Sequence, residues 1–296
     1  MKQKVALVLG SGGARGTAHI GVIRELIEQG FEISSIAGTS MGALVGGVYA
    51  AGKLDEYEKW LCSLSKVDMF NLVDFTLSTK GIIKADRVLR EIQKFIPDQK
   101  IEDLPIKYVA VATDIKNGKE VVITEGSLFE AIRSSISIPM VITPVLKNET
   151  LFVDGGVLNP VPTNRVFRHD GDMLFAVNVN SQIPYKKPVS DSVNIGYFEQ
   201  LTNGKLSAFQ KKLTMLIPVN KKESTGYFNL IVNTSSLMLS KIAELTLQIN
   251  PPDMLVEISR YACGAFDFYK ADELIEAGKI STKEKVEKFN KQKNLS

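Results

Sequence analysis

Three clusters of residues have the types and spacing that ester chemistry requires. Gly38-Thr39-Ser40-Met41-Gly42 has the form G-x-S-x-G. That form suits a sharp strand-to-helix turn. The serine backbone is strained, side chains two positions away would clash, and the next N–H, that of Met41, points to where an oxyanion would form. A serine held this way is a candidate nucleophile, and the plainer reading is a Gly/Ser turn capping a helix. Gly10-Ser11-Gly12-Gly13-Ala14-Arg15-Gly16 lies between an apolar run and a helical pattern. Its consecutive glycines allow the N–H groups of Gly12 and Gly13 to converge on an anion, with the helix dipole adding positive potential. Arg15 would pin that loop or add charge. Asp154-Gly155-Gly156 ends another apolar run, and the two glycines let the backbone approach a second loop closely. A carboxylate is a weak base in water, and burial would strengthen it.

Other readings of these clusters compete. In the first loop, Gly10, Gly12 and Gly16 give G-x-G-x-x-x-G, a poor dinucleotide fingerprint. The acid that such a site needs after the second strand is replaced by the Ser40 turn. The two histidines are His19 and His169. His19 falls in the first turns of a helix, where it would pack or hydrogen-bond. His169 falls in the polar stretch Arg168–Asp172, an exposed loop by composition. A Ser40–Asp154 dyad therefore stands beside a Ser40–Asp154–His169 triad in α/β-hydrolase chain order. A non-catalytic lipid-binding or regulatory protein on the same scaffold is the third possibility, and the intact set of residues argues against it.

The elements that must hold these groups can be read from periodicity. Val5–Leu9 is a buried strand, and Ala18, Val22, Ile23, Leu26 and Ile27 mark a helix that Gly30 closes. Ile33–Ala37 is a second strand, breaking at Gly38 into a small-residue helix that runs to Ala51. This βαβα opening predicts a parallel sheet with helices on both faces and both turns on one edge. Helices are expected at Asp55–Leu64, Ala85–Ile96, Leu128–Ser134, Phe228–Ile249 and Ala271–Ala277. Asn117-Gly118 predicts a hairpin between Tyr108–Thr113 and Glu120–Thr124. Strands are expected at Leu151–Val153, Met173–Val179 and Met254–Ile258. Residues 180–225 carry no clear pattern. The Phe228–Ile249 helix is expected to pack on the core or border an acyl groove.

Composition is ordinary for a globular chain: 296 residues, 44% hydrophobic, 23% charged, formal charge +3. The near balance of charge excludes nucleic acid as the expected partner. Neither a metal nor an organic cofactor is expected, since no His/Cys cluster is present. Cys62 and Cys263 read as free thiols of a reducing compartment, and no uncharged segment is long enough to span a bilayer. The expectation is a cytoplasmic protein. The lysines at 283, 285, 288, 291 and 293 belong to a solvated terminal helix, which leaves peripheral contact with a membrane open.

In order and spacing, Gly10–Gly16, Gly38–Gly42 and Asp154–Gly156 resemble the patatin-like phospholipase family in its bacterial form. Ser134–Pro144 resembles that family's serine- and proline-containing segment, and Phe266-Asp267-Phe268 resembles bacterial members less specifically. The resemblance covers about Val5–Asn180. It implies a three-layer α/β/α sandwich with a mainly parallel central sheet. It also implies a Ser–Asp dyad with Ser40 as nucleophile and Asp154 as base, and an oxyanion loop in which Gly12 and Gly13 donate and Arg15 supports. The expected substrate is a phospholipid or another acyl ester. One domain, 1–296, is the economical reading, with a motif-bearing core of about 5–180 and a C-terminal helical part of about 226–296.

Overall fold

A computed structural model describes residues 2–72, 75–78, 81–83, 86–139, 141–188 and 227–293. The chain divides into two compact units, residues 1–188 with 242–296 and residues 189–241, and every motif above falls in the first. Most of the unpatterned stretch 180–225, from 189 onward, lies outside the described residues, as does Ala85.

The strands are β1 (Lys4–Leu9), β2 (Glu32–Thr39), β3 (Phe75–Ser78), β4 (Gly81–Ile83), β5 (Lys107–Asp114), β6 (Lys119–Ile123), β7 (Val145–Lys147), β8 (Thr150–Asp154), β9 (Met173–Ser181) and β10 (Met254–Ser259). The α-helices are α1 (Ala18–Glu28), α2 (Met41–Ala50), α3 (Leu54–Ser63), α4 (Lys66–Leu72), α5 (Asp86–Gln93), α6 (Leu128–Ser135), α7 (Tyr227–Ile249) and α8 (Ala271–Lys293). The central sheet runs β10-β9-β1-β2-β5-β8-β7, with β6 also on β5; β3 and β4 form a separate hairpin. From β10 through β5 every pairing is parallel, whereas β6, β8 and β7 pair antiparallel. The sheet is thus mainly parallel and flanked by helices, as the βαβα opening requires. The Asn117-Gly118 hairpin joins β5 to β6.

Alternation along β1 explains the layers. Val5, Leu7 and Leu9 enter the large core with α1, α2, α3, α6 and α8, while Ala6 and Val8 face a smaller one closed by Val161, Ala243 of α7 and neighbours. The second half of α7 packs on this smaller core through Ala243 and Leu247, while Leu237, Met238 and Leu245 are exposed. The Phe228–Ile249 expectation of core packing therefore holds for one face of the helix's second half.

α8 is far longer than Ala271–Ala277 and carries the whole lysine run. Gly278 does not stop it, because that glycine is a packing site: a Cβ there would stand 2.1 Å from Ala18 O, and one at Gly21 would stand 1.9 Å from Ile275 O. The two helices touch backbone to backbone. Gly21→Ala is expected to cost about 1–3 kcal/mol or more by overpacking. A chemical-denaturation midpoint equal to that of the parent would contradict this.

Candidate functional site

Strand order brings the three motifs to one edge. β1 ends at the glycine loop and β2, its parallel neighbour, ends at Ser40, so both turns open on the same side of the sheet. β5 lies next, with Thr39 opposite Val111, and β8 lies beyond it, with Asp154 opposite Ala112. Ser40 and Asp154 therefore flank one strand, with two strand spacings of roughly 9–10 Å between their backbones. Close approach is built in at two glycines. A Cβ at Gly42 would fall 2.0 Å from Leu9 O, and one at Gly155 would fall 2.1 Å from Val111 O. Gly10, Gly16, Gly38 and Gly156 pack in the same contact zone: Gly16 against Met41, Gly38 against Gly42, Gly10 beside Val177, Gly156 beside Ser11.

Ser40 has φ 58° and ψ −122°, outside the ordinary regions for a residue with a Cβ. Its neighbours explain how the strain is held. Ala43 N–H and Leu44 N–H both donate to Ser40 O, starting α2. Ser40 N–H donates to Ser135 Oγ at 2.9 Å, and Ser135 Oγ donates to Val111 O at 2.6 Å. The elbow is thereby tied to α6 and to β5. Ser40 is buried, with 3% of its surface exposed, and so is Asp154, with 5%.

Asp154 is anchored by its backbone. Its N–H donates to Ser137 O at 2.9 Å, and Thr113 Oγ1 donates to its carbonyl at 3.1 Å. Its Oδ1 accepts the Gly156 N–H at 2.7 Å. Oδ2 is buried and has no closed hydrogen bond, and the Ser40 hydroxyl is the side-chain group that acts on the carboxyl. Burial pushes the carboxyl up from 3.8 to about 6, against the smaller pull of the Ser40 hydroxyl and the Gly156 N–H toward the charged form. A loose contact between nucleophile and base is common before substrate closes the site.

The start of the glycine loop is pinned on both sides. Gly10 N–H donates to Val177 O, Ser11 N–H to Pro160 O, and Ala14 N–H to Ala265 O. His19 Nε2 donates to Gly10 O at 2.8 Å and Asn180 Nδ2 to Ser11 O at 2.6 Å. Among the described residues, the N–H groups of Gly12, Gly13 and Met41 have no partner. Gly13 has φ 55°, and a Cβ there would meet Ala265 O at 2.6 Å, so a side chain would strain the backbone as well as displace a donor. Arg15 does not stand free. Nε and Nη2 donate to Asn180 Oδ1, and Nη1 donates to Cys263 O at 3.1 Å. Burial lowers its pKa from the ordinary value.

The histidines are accounted for. His19 is buried, and burial holds its pKa near 4, so the ring is neutral with its proton on Nε2. His169 is exposed; its backbone N–H bonds to Asp172 Oδ2, and the Asp154 carboxyl takes no bond from it. The structure brings Ser40, Asp154, Gly12, Gly13, Arg15 and Met41 to one place and leaves His169 outside it. Ser135, Ser137 and Asn180 were not singled out by the sequence. For the two serines, the Ser134–Pro144 segment was the available signal.

Cys62 and Cys263 are both free. Among the described residues no group of His, Cys, Asp and Glu forms a metal site, and no helix is long and apolar enough to cross a membrane.

Residues 7–167 match the family model of the patatin-like phospholipases. An NTE family protein of Mycobacterium tuberculosis, itself uncharacterized, is 33% identical over 97% of this chain and 92% of its own length. Lysophospholipase NTE1 of Kluyveromyces lactis is 29% identical over 93% of this chain and 19% of that protein. The crystal structure of VipD from Legionella pneumophila aligns with 97% of this chain and 67% of its own, at 11% identity and a TM-score of 0.48.

Proposed function

Because this chain belongs to the patatin-like phospholipase family, we propose that it hydrolyses fatty acyl esters of lipids through a Ser40–Asp154 dyad. The observation that carries the reading is the pairing of a buried serine in a strained elbow with a buried carboxyl of raised pKa whose Oδ2 has no closed bond. Asp154 takes the Ser40 proton as Oγ attacks the ester carbonyl carbon. The C–O π pair moves to oxygen, and that oxyanion is received by the free N–H groups of Gly12, Gly13 and Met41. Collapse breaks the bond to the alcohol, which leaves with the proton from Asp154. Water, deprotonated by Asp154, then attacks the acyl carbon, and the fatty acid is released as Ser40 Oγ leaves and takes that proton back from Asp154. Arg15 acts on the loop that presents the donors.

Its relatives support a lipid substrate, such as a phospholipid or lysophospholipid. Ser40's own N–H is occupied by Ser135, so the oxyanion must be met from the glycine loop and Met41.

A fluorophosphonate probe tests the nucleophile. The expected result is stoichiometric labelling mapped by mass spectrometry to Ser40, blocked by prior incubation with an ester substrate. Labelling at another serine, with turnover lost in step, would end this reading.

A further inference from the structure

Asn180, at the end of β9, sits in the middle of a relay from Arg15 to the glycine loop. Its Oδ1 accepts from Arg15 Nε at 3.1 Å and from Nη2 at 2.7 Å, and its Nδ2 donates to Ser11 O at 2.6 Å. Arg15 is held in turn by Cys263 O. The partners dictate which way the amide faces. A guanidinium only donates and a backbone carbonyl only accepts, so the oxygen must face Arg15 and the nitrogen Ser11.

The Ser11 carbonyl and the Gly12 N–H belong to one planar trans peptide and point in opposite directions. A bond that fixes the first aims the second. The adjoining peptide is held separately, by Pro160 O on the Ser11 N–H and by His19 on Gly10 O, so the Ser11–Gly12 unit is the one whose rotation Asn180 sets. Gly12 N–H is left without a partner among the described residues. We propose that Asn180 is a positioning residue for ester hydrolysis, turning the Ser11–Gly12 peptide so that Gly12 N–H is presented to the oxyanion. This rests on the Ser40 nucleophile and the glycine-loop oxyanion hole proposed above.

The chemistry of the position sets the test. Asn180→Asp is nearly isosteric and keeps an acceptor for Arg15, but it sets a carboxylate oxygen against the Ser11 carbonyl. The peptide must then turn or retreat. Hydrolysis of a soluble p-nitrophenyl ester is measured with thermal melting in parallel. The expected result is kcat lower by roughly 10- to 100-fold, less than the 10²–10³ that follows loss of a whole donor, with KM within about twofold and melting little changed. Asn180→Ala, which removes the donor to Ser11 and the acceptor for Arg15 without adding charge, should lower kcat in the same direction by at least roughly tenfold.

A folded Asn180→Asp enzyme of normal kcat would overturn the proposal. So would a defect confined to KM, or unfolding of both variants, which would make the role structural. Ser40→Ala measured alongside keeps the two levels apart. Turnover that survives Ser40→Ala removes the underlying reading. Ser40-dependent turnover with an unaffected Asn180→Asp enzyme removes only the role of Asn180.

Discussion

Asp154→Asn is expected to give a protein that has lost its activity and gained stability. The loss follows from the base: asparagine can still accept the Gly156 N–H but cannot take the serine proton, and removing a general base costs about 10²–10⁴-fold in rate. The gain follows from burial. The folded carboxyl titrates near 6 against an ordinary 3.8, so the folded state favours the protonated form. That contribution is fully present below the unfolded value and is lost as pH rises through the folded one. Above pH 6 the ionised group therefore weighs against the fold, by a shift of about 2 units at 1.36 kcal/mol each, on the order of 3 kcal/mol. Asparagine is neutral throughout. The variant should melt higher than the parent at pH 8 and level with it below about pH 4, and the parent's activity should decline as pH falls through about 6. His169→Ala should leave turnover close to the parent value, since that ring is exposed and does not touch the carboxyl. An inactive, folded His169→Ala enzyme would restore the triad.

The second large effect is at the nucleophile. Ser40→Ala and Ser40→Gly should both abolish turnover, by up to roughly 10⁶-fold if the dyad behaves like other serine hydrolases. They should differ in stability. Alanine keeps a Cβ at φ 58° and ψ −122° and so keeps the strain, roughly 1–3 kcal/mol for such a residue. Glycine releases it, and gives back about 0.5–1 kcal/mol through the freer unfolded chain. Ser40→Gly should thus be the more stable of the two by on the order of 1 kcal/mol. Equal denaturation midpoints would mean that the elbow stores no strain.

The residues that were legible in sequence share a local signature. β1, β2 and the approach to Asp154 are apolar runs cut off by glycine, and those glycines mark backbone-to-backbone contacts such as Gly42 on Leu9 and Gly155 on Val111. Periodicity therefore found both the strand ends and the motifs on them. Strand direction is a different kind of information. Nothing in Thr150–Asp154 tells that β8 runs against β5, because direction is decided by the connection through α6 and β7. The polar bracing was equally hidden. Ser135 meets Ser40 across 95 positions, and the Ser134–Pro144 segment marked the serine without its partner; Asn180 meets Ser11 across 169, and a lone asparagine has no local pattern to betray such a partner. Ala271–Ala277 and the terminal lysine run proved to be parts of one helix, α8, which passes through Gly278 because that glycine packs closely on α1.

The order β1-β2-β5-β8 also has a stereochemical meaning. The glycine loop stands on the β1 side of Ser40, and Asp154 stands on the β8 side, across β5. With Ser40 attacking, the carbonyl oxygen must swing toward β1, while the departing alkoxide must lie toward β8 to collect its proton. On the proposed mechanism, those two constraints leave one prochiral face of the ester open to Oγ. The left-to-right sequence of four strands would then become the handedness of the tetrahedral centre, and the two faces of an ester carbonyl would differ in turnover.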